Sequence, residues 1–119
     1  MTKKLALIFA AMTWLVAGHA TPAHSIWKNG NDLVRECTSD NPSGVIACIN
    51  YVIGVADMID VIFQLEISGS APICIPSERV SGVQLERVVV NYFDSHPEET
   101  HNPAVVLVIV ALREAFPCQ

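Results

Sequence analysis

Over residues 42–65 (PSGVIACINYVIGVADMIDVIFQL) the apolar positions Cys48, Tyr51, Val52, Val55, Met58, Ile59 and Ile62 recur three and four apart. That spacing puts them on one face of a helix. Asn41 before Pro42 marks the start: Asn accepts hydrogen bonds from the first turn, and Pro gives up only an amide that has no helical partner. Ser68 and Gly69 supply the stop, so a helix is predicted over 42–66. Its other side holds Ile49, Ile53, Gly54, Ala56, Asp57 and Asp60. A helix apolar nearly all round belongs at the centre of a small bundle.

Three further stretches carry helical patterns. Ser81-Gly82-Val83-Gln84 has the spacing of a capping box. Leu85, Val88, Val89, Tyr92 and Phe93 then keep the helical period until His96-Pro97 breaks it, which predicts a helix over 81–95. Asn102-Pro103 repeats the earlier start signal ahead of AVVLVIVALREAF, with Pro117 behind it. The valines of this run suit a strand equally well. The Asn-Pro start, the length and the Ala-Leu-Arg-Glu-Ala tail favour a helix over 103–116, and no partner strand is visible. A short helix over 30–38 has Asn29, Gly30 and Asn31 as caps, Asp32 in its first turn and a stripe of Leu33, Val34 and Cys37. Ile26 and Trp27 form an apolar anchor ahead of it. The fold class is therefore all-α, a small four-helix bundle.

The N-terminus carries a different signal. Lys3 and Lys4, the apolar run Leu5–Val16 and the small-x-small site Gly18-His19-Ala20 read as a signal peptide over 1–20. A single domain over 21–119 and a periplasmic location follow, with no membrane association after cleavage. A retained anchor is the rival reading. Losing the two lysines moves the net charge from −5 to −7. An acidic chain without a basic patch excludes nucleic acid as a partner and suits solubility or a basic protein partner.

Four cysteines in an exported chain this small read as two disulfides. A helix over 42–65 is roughly 35 Å long, which separates Cys48 near its start from Cys74 beyond its end. In an up-down-up-down bundle, Cys37 meets Cys48 at one end and Cys74 meets Cys118 at the other. This pairing satisfies the ~4.4–6.8 Å Cα separation without distortion.

Catalytic chemistry has little support. Asp57 and Asp60 lie one turn apart on a helix side, with no base, nucleophile or phosphate loop in sight, and are read as surface residues or partners of Arg79 or Arg87. His96 and His101 flank the acidic stretch HPEETH, a weak pattern for a metal. No enzyme, metal or cofactor is implied.

The ordered set Trp27-x-x-Gly30-x-x-Leu33-x-x-x-Cys37, Cys48-x-x-Tyr51-x-x-Gly54-x-x-Asp57, Cys74-Ile75-Pro76, His96-Pro97, Ala111-Leu112 and Phe116-Pro117-Cys118 resembles the Rap/Tai family of immunity proteins. That resemblance implies a small exported all-helical protein, often a homodimer, that binds and inhibits a peptidoglycan amidase injected by type VI secretion. A periplasmic stress protein or acid-activated chaperone without a cognate toxin is the alternative. The excess of apolar surface on 42–65 and 103–116 also points to a homodimer. For the inhibitory element we expect the loop 94–102 (DSHPEETHN), with Asp94, His96, Glu98, Glu99 and His101 as partner-binding residues. The connector 68–73 is the smaller, uncharged alternative. Replacing Glu98 and Glu99 is expected to leave stability almost unchanged, because the loop is outside the core.

Overall fold

The computed structural model describes residues 27–65 and 73–119. The leader 1–20, Ile26, the helix stop at Ser68-Gly69 and most of the connector 68–73 lie outside the described residues. Among the described residues four helices follow one another: α1 (Gly30–Cys37), α2 (Pro42–Gln64), α3 (Gly82–Ser95) and α4 (Ala104–Ala115), with a 3₁₀ turn, Pro97–Glu99, between the last two. Among the described residues there is no β-strand, only the isolated bridges Asn29–Pro103 and Ile73–Pro117.

The starts are set by local chemistry. Asn29 and Asp32 form a reciprocal capping box on α1, and Ser81 and Gln84 form one on α3. Asn41 Oδ1 accepts from the Ser43 amide, with Pro42 opening α2. The start of α4 differs from expectation. Pro103 occupies the cap position without a side-chain bond, and Asn102 contributes its main-chain carbonyl, which accepts from the Gly30 amide at 2.9 Å. The α4 start is thereby paired to the α1 start.

Leu33, Cys48, Val52, Val89, Leu107, Val108 and Leu112 form the fully enclosed centre, and burying each leucine contributes about 2 kcal/mol. The central helix is α4, which buries Ala104, Leu107, Val108, Ala111 and Leu112. α2 touches all three other helices but buries only Cys48, Val52 and Val55. The expectation of a central α2 fails because its neighbours are too short to enclose it: 23 residues stand against 14, 12 and 8. Ile46, Met58, Val61, Phe63 and Leu65 stay exposed along it. By length and composition α2 could cross a membrane. Its packed face and its disulfide tie it to the bundle instead, and Asp57 and Asp60 would be costly in hydrocarbon.

The disulfides are Cys37–Cys48 and Cys74–Cys118, each with a Cα separation of 5.0 Å. The first holds the end of α1 to the early turns of α2. The start of α1 is paired to residues 102–104 at the beginning of α4. Both ends of this eight-residue helix are thus tied to one end of the bundle, so α1 lies across that end and is not a full strut of an up-down-up-down arrangement. Trp27 does not anchor it either, being fully exposed. That work falls to main-chain pairing and to Lys28, whose ammonium contacts both Glu36 carboxylate oxygens at 2.6 and 2.5 Å and lies 4.9 Å over the Tyr51 ring.

Candidate functional site

The loop between α3 and α4 is built on that same end. Pro97 stops α3, and the chain turns through Pro97–Glu99 with the Glu99 amide donating to His96 O at 3.0 Å and the Asn102 amide to Glu99 O at 2.9 Å. Thr100 Oγ1 donates to Pro97 O at 2.9 Å. The loop then caps α1: the Asn31 amide donates to Thr100 O at 2.8 Å and the Gly30 amide to Asn102 O at 2.9 Å. These are amides that a helix start cannot satisfy within itself. The close approach requires glycine, since a Cβ at Gly30 would sit 2.5 Å from Thr100 O and 2.6 Å from Leu107 Cδ1.

A second brace comes from α3. Tyr92 donates its hydroxyl proton to Glu99 Oε2 at 2.7 Å, and its ring stacks on His96 with centroids 4.3 Å apart. The hydrogen bond to Glu99 is the main reason the phenol is pushed up to about 12; burial and the charges of Glu99, Glu114 and Glu98 add to it. The platform under the loop is held by charge as well. Asp32 sits below the usual carboxylate range because it accepts from the Asn29 amide and then from Arg35. Burial, with Glu36 nearby, raises Tyr51.

The five residues expected to meet a partner divide into two groups. Asp94, Glu98 and His101 are exposed, whereas His96 and Glu99 are half-buried. Glu99 is occupied by Tyr92, and His96 shares its Nδ1 with Tyr92 O at 3.1 Å under the stacked ring. His101 Nδ1 contacts Glu98 O at 2.9 Å. Glu99 is therefore part of the fold, and the expectation that replacing Glu98 together with Glu99 leaves stability unchanged does not survive. Nothing in the sequence signalled this: Tyr92 and Glu99 are seven apart across a proline, and the 3₁₀ turn brings them together.

Among the described residues no group of three His, Cys, Asp or Glu side chains converges on a metal-sized site, and no buried polar side chain lacks a partner. Asp57 and Asp60 are exposed on α2, with Asp60 accepting from Gln64 at 3.1 Å. The ion pairs found among the described residues, Lys28–Glu36 and Arg35–Asp32, do not involve them. The arrangement suits recognition: a short, doubly braced acidic loop whose shape is set before any partner arrives, which lowers the ordering cost of binding.

Comparison with curated proteins yields no match. The family model described as Rap1a immunity proteins matches residues 29–118, from the cap of α1 to the last cysteine.

Proposed function

We propose that this chain, which belongs to the Rap1a immunity protein family, is a periplasmic inhibitor of a peptidoglycan amidase effector delivered by type VI secretion, protecting the cell that makes it. The family match supports an effector-binding role, and the two disulfides suit an oxidising compartment. The observation that carries the amidase reading is the braced loop, which offers Glu98 and His101 outward from a backbone already fixed on α1, with Asp94 exposed on the last turn of α3 that leads into it. An amidase cleft that binds wall peptides is open, and a preformed protruding loop fills such a cleft with little loss of freedom.

The test is inhibition of a peptidoglycan amidase effector, the product of a neighbouring gene where one exists, assayed on peptidoglycan fragments. Wild type should inhibit it. Asp94→Lys with Glu98→Lys should weaken binding by about 2 kcal/mol, roughly 30-fold. Those two side chains carry none of the loop's braces, so the fold should persist. Absence of inhibition by wild type refutes the amidase reading. Undiminished inhibition by the double variant removes the loop from it.

The same reading includes a homodimer. On α2, Ala47, Gly54, Met58, Val61 and Leu65 are all exposed and spaced as one outward stripe. Light scattering should give twice the chain mass, and Met58→Lys with Val61→Lys should give a monomer.

A further inference from the structure

α3 begins halfway along α2. Gly82, its first residue, packs so closely there that a Cβ would lie 2.5 Å from Ile53 Cδ1 and 3.2 Å from Ile49 Cγ2. Beyond that contact the segment Ile73–Val80, non-helical with a turn at Ser77–Arg79, borders the last turns of α2. The space between is a groove of about 610 Å³. Ile53, Ile59 and Phe63 form one wall, Ile75 and Val80 the other, and Leu85 the floor. Among the described residues its charged lining residues are Asp57 and Asp60, both exposed, and no lysine or arginine lines it.

We propose that this groove docks a cationic amphipathic segment of a partner protein. Apolar side chains would enter between the Ile53–Phe63 and Ile75–Val80 walls, and lysine or arginine would meet Asp57 and Asp60. The volume lies within the ~300–1,000 Å³ typical of binding pockets. Two carboxylates one helical turn apart match basic residues at the same spacing on a bound helix. Charge decides against a second copy as the occupant. Another copy brings the same aspartates, so a groove-to-groove pairing sets like charges face to face. The outward stripe of α2 lies on a different face, which leaves the groove open in a dimer. The proposal goes beyond the amidase reading and does not depend on it.

The test uses two synthetic amphipathic helical peptides with the same leucine face, one with lysine and the other with glutamate on its polar face. Binding is followed by fluorescence anisotropy and by amide chemical shifts of the labelled protein. The Leu/Lys peptide should bind, with shifts confined to residues 53–63 and 73–85, and the Leu/Glu peptide should bind at least about tenfold more weakly. Asp57→Lys with Asp60→Lys should lower Leu/Lys affinity by about tenfold or more with an unchanged circular dichroism spectrum. The groove-filling Ala56→Trp should abolish binding. Equal affinity in the charge variant, or shifts centred on Asp94 and Glu98, would mean that the peptide reads only the general acidity, and the proposal fails. A dimer that dissociates in Ala56→Trp would make the second copy the occupant and overturn it equally.

Discussion

Substituting alanine for glycine at two helical positions should give effects of opposite sign, and the pair tests how the loop is held. At Gly30 the added methyl would overlap Thr100 O at 2.5 Å and Leu107 Cδ1 at 2.6 Å. Clearing that overlap requires the α1 start and the loop to part by roughly 0.5–1 Å. The Gly30–Asn102 and Asn31–Thr100 hydrogen bonds, now 2.9 and 2.8 Å, would then stretch past the useful limit of about 3.2 Å. Overpacking costs about 1–3 kcal/mol and each weakened bond about 1 kcal/mol. Against this stands the preference of a helix for alanine, at most about 1 kcal/mol. The net expectation for Gly30→Ala is a loss of about 2–4 kcal/mol, a fall in Tm of at least roughly 8 °C for a domain this small. At Gly54 a Cβ meets nothing within 4 Å, so Gly54→Ala should raise stability by about 0.5–1 kcal/mol. Urea denaturation followed by circular dichroism, with disulfides intact and protein dilute enough to stay monomeric, measures both. A Gly30→Ala protein as stable as the parent would refute the docking of the loop on α1.

The Tyr92–Glu99 bond gives a pH signature. With the phenol at about 12 in the folded chain against 10 ordinarily, its contribution is complete below pH 10 and is lost as pH rises from 10 through 12. Tyr92→Phe should cost about 1–2 kcal/mol at neutral pH and flatten that decline in alkaline melts. Glu98→Lys should leave Tm within about 1 °C, whereas Glu99→Lys should lower it by several degrees, because only Glu99 is bonded to Tyr92. The disulfides close segments of 11 and 44 residues. Replacing Cys74 and Cys118 by serine should therefore cost about 4 kcal/mol and replacing Cys37 and Cys48 about 3 kcal/mol. Denaturant midpoints of the two variants check the order.

The helices were legible because each carries local instructions. The Ser81–Gln84 box, the Asn41-Pro42 start and the periodic apolar faces act within a few residues, and those are the interactions a sequence displays. The alanine- and valine-rich run after Pro103, ambiguous by propensity, is a helix at the centre of the core. What escaped the sequence depends on relative helix length and on main-chain contacts. Periodicity says that α2 is apolar on several faces but not which neighbours reach them. The enclosed position went to the shorter α4, and the far half of α2 was left bordering a groove. Asn102 was read for its side chain, yet its carbonyl does the work. The loop was legible as a loop. Which of its acids face outward was not, because the choice between Glu98 and Glu99 is made by Tyr92 and a turn that no short pattern encodes.

The clamp between residues 28–31 and 100–104 also has a consequence in time. It joins segments about seventy positions apart, and long-range pairing of this kind forms late, after local helices are in place. A chain emerging N-terminus first holds the α1 half of the clamp long before the other half exists. The outward loop therefore takes its shape only once nearly the whole chain is present, and a partly made or clipped chain would keep much of its helix while lacking that shape. Helical content and the finished loop are then separate measures of maturity in this protein, and the second is reached last.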